Sequence, residues 1–185
     1  MPKPPWRVLA SSYIVDNRFL RLRSDTVELA DGSVINDYYV RESRGFVVIF
    51  ALTQEQHVLL VRQYKHGIAQ ELLELPAGAI DPGESPQDAA SRELEEETGY
   101  TAQGMQHIRS FIVDPTNADT VAHLFFAPAV TKTGRQHLDP TENIRVQTAD
   151  LDGLHTMLVD GTIDSMPHVA ATYFMLERLG RLAPT

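Results

Sequence analysis

The chain has 185 residues, 43% hydrophobic and 22% charged, with a formal net charge of -9 and no cysteine. That length supports one well-buried domain, or one domain with a small extension, and the cysteine count excludes a disulfide framework, a thiolate metal site and a cysteine nucleophile. The acidic balance argues against non-specific nucleic-acid binding, which draws on clustered Lys and Arg, but leaves room for a phosphorylated substrate where metal ions or local arginines reverse the field.

From the N-terminus, residues 7–14, 18–29 and 34–42 read as strands, with an Asp31-Gly32 turn between the second and third. The start Met-Pro-Lys-Pro-Pro-Trp lacks a signal-peptide apolar region. No apolar run approaches the roughly 20 residues that cross a bilayer, so a cytoplasmic location and no membrane partner are expected. Residues 46–52 and 57–64 are strongly apolar strands joined by a polar turn, read as a hairpin leading into the next loop.

The most informative stretch follows, residues 78–100, where four glutamates fall within five positions after a helix-start signal. Ser85 is a natural N-cap, Pro86 suits the first helical position, Asp88 can complete a capping-box-like pair, and Gly99 supplies the stop. On a 3.6-residue repeat Ala90 and Leu94 make an apolar stripe, while Arg92, Glu93, Glu96 and Glu97 share an adjoining face. The Glu93/Glu97 pair costs an isolated helix roughly 0.2–0.5 kcal/mol, and Arg92 to Glu96 at the same spacing recovers a similar amount. Taken alone, the run reads as an acidic solvated face.

Beyond the helix, strands are expected near 104–113, 120–130 and 142–148, and helices over about 150–160 and 167–180. Strands with interspersed and terminal helices indicate an α/β class, a mixed sheet between helices. The seven histidines are scattered singly, without paired zinc spacing, and read as surface or packing residues.

Gly78, five residues, Glu84, seven residues, then Arg92-Glu93-Leu94-Glu95-Glu96-Glu97-Thr98-Gly99-Tyr100 resembles the Nudix box. That motif marks hydrolases of nucleoside diphosphates linked to another moiety. Tyr100 departs from it, where an aliphatic residue is usual. The resemblance implies a Nudix-type α/β/α sandwich, here with an N-terminal antiparallel strand extension: residues 1–45 as the extension, a dimerisation element, and 46–185 as the hydrolase domain.

Hydrolysing a diphosphate calls for hard cations, which take carboxylate, carbonyl and water oxygens. Glu93 and Glu97, one turn apart, can grip one ion, with Glu96 beside them for a second. The resemblance adds the backbone carbonyl of Ala77, in the loop before the helix, and implies Mg²⁺, with Mn²⁺ as the other candidate. Arg92 orients the glutamates, which is equally a structural salt bridge. Gly78 reads either as a backbone turn toward the metal or as an ordinary turn glycine, and Glu84 as a ligand or a loop brace.

From about residue 12 onward the chain looks like the ADP-ribose and nucleoside-diphosphate-sugar pyrophosphatase branch. The carrying residues are Arg62-Gln63-Tyr64-Lys65, Glu71-Leu72-Leu73-Glu74-Leu75-Pro76-Ala77-Gly78, Pro115 and the stretch Val159–Asp164. Thr116 and Thr120 depart from the glycine and glutamate that many ADP-ribose enzymes carry, and Asn117 and Asp119 there read as an Asx-rich turn. Glu142 resembles the branch's late-loop glutamate that activates water, on a loop able to close over substrate; Glu93 is the alternative base. Arg44, Arg62 and Lys65 are candidates for gripping the diphosphate, and Phe19, Tyr38, Tyr39 or Tyr64 for stacking on the base. The implied reaction is ADP-ribose to AMP and ribose 5-phosphate, by a homodimer whose N-terminal strands pack across the partner. GDP-mannose or another sugar nucleotide is the rival substrate. A non-hydrolytic nucleotide-sugar-binding regulator fits less well, because the box is intact and there is no basic extension; an isopentenyl-diphosphate isomerase would need a cysteine.

Overall fold

The computed structural model describes residues 5–182. The chain divides into two compact units, one formed by the residues up to Gly45 with Ile112–Val121, the other by Phe46–Phe111 with the residues from Ala122 onward.

In the first unit β1 (Arg7–Asp16), β2 (Arg21–Glu28) and β3 (Val34–Glu42) form an antiparallel sheet in that order. Asn17 Oδ1 accepts from the N–H groups of Phe19 and Leu20 to turn the chain between β1 and β2. Gly32 closes the next turn at φ 86°, a conformation glycine adopts without a Cβ penalty. The Asx-rich segment after Ile112 turns on Asp114, whose Oδ1 accepts from Asn117 N–H at 3.2 Å. It then braces the end of β3: Arg41 N–H donates to Asn117 O at 2.8 Å and Ser43 N–H to Asp119 Oδ1 at 2.7 Å. Strand β1 is exposed along nearly its whole length, and Trp6, Val8, Leu9, Tyr13 and Ile14 present apolar side chains to solvent.

The second unit comprises β4 (Phe46–Thr53), β5 (Val58–Lys65), β6 (Gln70–Glu74), β7 (Ala77–Ala79), α1 (Pro86–Thr98), β8 (Tyr100–Ala102), β9 (Gln106–Ile112), β10 (Val121–Lys132), β11 (Ile144–Ala149), α2 (Leu151–Val159) and α3 (Met166–Arg178). Its sheet runs β11-β5-β4-β10-β8, with β6 on β5, β7 on β4 and β9 on β10. β4 and β10 are parallel, whereas β5 meets β4, β6 and β11 antiparallel, so the sheet is mixed.

Alternation along β4 explains the layers. Val48, Phe50 and Leu52 enter one core cluster with Leu154 and Leu158 of α2 and Ala171, Met175 and Leu176 of α3. Val47, Ile49 and Ala51 enter a second with Ala89, Ala90 and Leu94 of α1. A strand buried on both faces reads as a continuous apolar run, and this one carries helices on each side. The expected α/β/α sandwich is therefore what the unit has.

Two details differ from expectation. The β4–β5 hairpin is paired only at Leu52 and Val58, after which β4 turns to β7 and β5 to β6. Strands β6 and β7 fill that split, and their short, non-alternating sequences gave no strand signal. Pro76 sits where the chain passes from β6, paired with β5, to β7, paired with β4, its carbonyl accepting from Ile49 N–H at 2.9 Å. Among the described residues no helix is long and apolar enough to cross a membrane.

Candidate active site

Helix α1 begins as its sequence requires. Ser85 Oγ accepts from Asp88 N–H at 3.1 Å and donates to Asp88 Oδ2 at 2.7 Å, so Asp88 closes the cap through the hydroxyl. At the other end Gly99 adopts φ 73°, and its N–H donates to Glu95 O at 2.8 Å. Gly99 is required twice over, since a Cβ there would stand 2.8 Å from Gly134 O.

The charged face of α1 is only partly solvated: Glu96 is 40% exposed at its side chain, but the other two carboxylates are buried. Glu93 is 9% exposed and Glu97 2%. Arg92 gathers the carboxylates: Nε and Nη2 each meet Glu84 at 2.9 Å, and Nη1 meets Glu93 at 2.7 Å and Glu96 at 3.0 Å. Nη2 also donates to Ala79 O at 3.0 Å. Glu84 is thereby a brace: the Arg92 guanidinium holds its carboxyl below the usual range, and it also accepts from Asp81 N–H at 3.0 Å.

Glu97, on the same face of α1, lies outside the Arg92 fork but near enough to Glu93 for that carboxyl to act on it. Its Oε2 accepts from Ala77 N–H at 2.9 Å. Burial pushes its carboxyl up to about 8; the Ala77 N–H opposes the rise, Glu93 and Glu142 add to it, and Lys65 opposes it. Burial likewise raises Glu93, with Arg92 opposing and Glu96 and Glu142 reinforcing. Ala77 itself opens β7, paired with Val48, and so lies in a strand where a loop was expected. Gly78, in the same strand, serves close approach in place of a turn. A Cβ there would fall 2.0 Å from the Glu93 carboxyl carbon.

Glu142 is exposed in the loop between β10 and β11, its Oε2 accepting from Asp139 N–H at 3.0 Å. That loop is fastened to the C-terminal end of α1. Thr133 and Gly134 N–H donate to Gly99 O, His137 N–H to Glu96 O, and Gln136 Nε2 to Glu97 O at 2.6 Å and Ile144 O at 3.1 Å. Orphan helix-end carbonyls thus find partners, and no local pattern singles out Gln136 for this role.

Of the diphosphate candidates, Arg62 is half-buried on β5 and has no ion pair among the described residues, while Lys65 pairs with Glu74 at 3.1 Å. Arg44 belongs to the first unit, where it is exposed. Among the aromatics, Tyr64 is exposed on β5; Phe19, Tyr38 and Tyr39 lie in the first unit, Tyr38 packed edge-on against Trp6. Tyr100 is half-buried at the start of β8, with Lys132 Nζ 5.9 Å from its ring centre.

No group of three or more His, Asp or Glu among the described residues is gathered into a metal cage. The reason is visible in the pairing, since Arg92 holds Glu93 and Glu96 and the Ala77 N–H holds Glu97. The donor chemistry nevertheless fits a hard divalent ion. The set offers only oxygens, and Glu97, pushed up by burial and by the neighbouring Glu93 and Glu142 carboxyls, makes no ion pair among the described residues, so a cation there would offset its charge.

Comparison with known proteins identifies the family and the fold. A model of the NUDIX domain matches residues 42–169, and one of the nucleoside diphosphate sugar hydrolase N-terminal domain matches residues 6–40. The chain is 32% identical to a methanol dehydrogenase activator of Bacillus methanolicus and 31% to an ADP-ribose pyrophosphatase of Bacillus subtilis (strain 168), each over 92% of this chain and 93% of the relative. A crystal structure of an ADP compounds hydrolase superposes with a TM-score of 0.82 at 23% identity, over 96% of this chain and 97% of that one, a likeness of fold.

Proposed function

The chain belongs to the NUDIX family of hydrolases, and on that footing we propose that it cleaves the diphosphate bond of a nucleoside diphosphate sugar, foremost ADP-ribose, to AMP and ribose 5-phosphate. The observation that carries this reading is the Arg92 fork, which fixes Glu93 and Glu96, beside the buried Glu97 carboxyl, which makes no ion pair among the described residues. The substrate class is supported by the matched N-terminal segment, residues 6–40, and by the ADP-ribose pyrophosphatase among the relatives.

In this account Glu93, Glu96, Glu97 and the Ala77 carbonyl hold a divalent ion, Mg²⁺ foremost with Mn²⁺ as the other candidate. When bound, such an ion offsets charge on the phosphate oxygens and acidifies water. Arg92 fixes the rotamers of Glu93 and Glu96, and Gly78 leaves Glu93 the space it occupies. Glu142 takes the proton of the attacking water as the water oxygen bonds to phosphorus and the bond to the bridging oxygen breaks. Its exposure favours it over Glu93, whose Oε1 is held by Arg92 at 2.7 Å. Arg62 and Lys65 grip the diphosphate.

We also assign the protein to the cytoplasm as a homodimer. The exposed apolar side chains of Trp6, Val8, Leu9, Tyr13 and Ile14, on and beside a strand exposed along nearly its whole length, support the dimer.

Phosphate release after phosphatase treatment tests the specificity. ADP-ribose, ADP-glucose, GDP-mannose, UDP-glucose and NADH are compared with Mg²⁺ present. Preference for ADP-ribose supports the reading, whereas preference for GDP-mannose moves the enzyme to the rival substrate. Activation of a methanol dehydrogenase without any cleavage would favour the function named for the other relative.

A further inference from the structure

A polar chain in the second unit runs from α3 through β6 to β5 and ends on Lys65, whose charge reaches Glu97. On α3, His168 is 5% exposed, and its Nδ1 accepts from Leu75 N–H at 3.2 Å. An imidazole nitrogen that accepts carries no proton, so the single proton of the neutral ring sits on Nε2. Nε2 faces Glu74 Oε1 at 3.3 Å. Glu74, at the end of β6, is 3% exposed, and its other oxygen meets Lys65 Nζ at 3.1 Å and lies 3.5 Å from Gln63 Nε2. The Lys65 side chain is 40% exposed, and its charge is felt at Glu97.

A buried carboxylate is tolerated only with partners on both oxygens. His168 supplies the partner for Oε1, which fixes the Glu74 carboxyl plane and therefore the direction in which Oε2 meets Lys65. Lysine has a flexible stem and a compact ammonium with three donors. Glu74 occupies one donor, leaving two for phosphate oxygens. Neither Glu74 nor His168 carries an expected role, and an isolated histidine in a sequence gives no hint of such a link.

We propose that His168 is a positioning residue that acts through Glu74 to hold the Lys65 ammonium where it receives the diphosphate of the substrate. The proposal rests on the reading of Lys65 as a diphosphate-binding residue. Loss of His168 lets Glu74 rotate and frees Lys65 to move toward solvent, so the effect falls on substrate capture.

The test is a double-mutant cycle with His168→Asn, which keeps an acceptor for Leu75 N–H but does not reach Glu74, and Lys65→Ala. His168→Asn is expected to raise KM about 5- to 10-fold, with kcat little changed, the scale of coupled neighbours in one network. In the Lys65→Ala background the same substitution is expected to change kcat/KM by less than about 2-fold. Equal losses in both backgrounds, as a merely structural histidine would give, overturn the proposal. A Lys65→Ala enzyme with unchanged KM overturns it on a different ground, by removing the binding role of Lys65. Wild-type turnover in the same assay separates either failure from failure of the functional reading. A crystal structure of His168→Asn adds a readout independent of activity: Lys65 displaced from Glu74 is expected, and an unmoved Lys65–Glu74 pair counts against the relay.

Discussion

The Glu93 carboxyl carbon stands 2.0 Å from the point where a Cβ on Gly78 would be, so the two positions cannot both carry side chains as they are placed. Gly78→Ala must push Glu93 off its rotamer or displace β7 from β4. Overpacking of this kind costs about 1–3 kcal/mol of stability. The larger effect is predicted on activity, a fall in kcat of about 100-fold from a misplaced electrostatic group, with the fold retained by circular dichroism. Activity near wild type would show that Glu93 has no fixed catalytic position.

Arg92 makes five hydrogen bonds, to Glu84, Glu93, Glu96 and Ala79 O. A lysine has no planar fork with which to hold Glu84 through both oxygens while reaching Glu93. Arg92→Lys is therefore predicted to weaken activation by Mg²⁺ by about 10- to 100-fold, the range seen when groups orienting metal ligands are lost. Titration of activity against Mg²⁺ measures it; an unchanged half-saturating concentration would confine Arg92 to a structural salt bridge.

Two buried groups set opposite pH dependences in the metal-free protein. Burial pushes the Glu97 carboxyl up to about 8, above its unfolded value, so its contribution is complete below about 4.5 and is lost as pH rises through 8. Burial holds His168 down at about 4, with Glu74 opposing, so its contribution is complete above about 6.5 and is lost as pH falls through 4. The two oppose each other over the acidic range, and above about 6.5 only Glu97 remains. Tm is thus predicted to fall between pH 6.5 and 8 in chelator, with the slope reduced in Glu97→Gln and in the presence of Mg²⁺. A slope identical in wild type and Glu97→Gln would assign the titration elsewhere.

Gln136 holds the loop that carries Glu142 to the end of α1 by bonds to Glu97 O and Ile144 O. Gln136→Ala is predicted to cost about 1 kcal/mol of stability, one or two hydrogen bonds' worth, and to lower kcat by about 10-fold through a less fixed general base. Hydrogen exchange reports the cause directly, as faster exchange at the His137 amide, which donates to Glu96 O. Unaltered exchange there would disconnect Gln136 from the loop.

Much of the scaffold was legible because its determinants are local. The cap at Ser85, the stop at Gly99 and the two-faced apolar run of β4 each state their role in the sequence. The hidden parts depend on approach from elsewhere in the chain. β6 and β7 form because β4 and β5 splay, and neither strand carries the alternation that would announce it. Helical periodicity puts Glu97 on the face of the Arg92 fork, but the bond it accepts from Ala77 N–H comes from another strand and is not written in that periodicity. His168 and Glu74 meet across 94 residues of sequence numbering, a pairing that no short-range pattern records.

The central claim is metal-dependent cleavage of a nucleoside diphosphate sugar at the α1 carboxylates. Its most direct measurement is AMP formation from ADP-ribose, with and without Mg²⁺, by the wild-type protein and Glu97→Gln. The account predicts stoichiometric AMP and ribose 5-phosphate only with the divalent ion, and a rate lower by roughly 100-fold or more in Glu97→Gln, the scale of losing one electrostatic stabiliser. Cleavage that persists in chelator, or that Glu97→Gln leaves untouched, would contradict it.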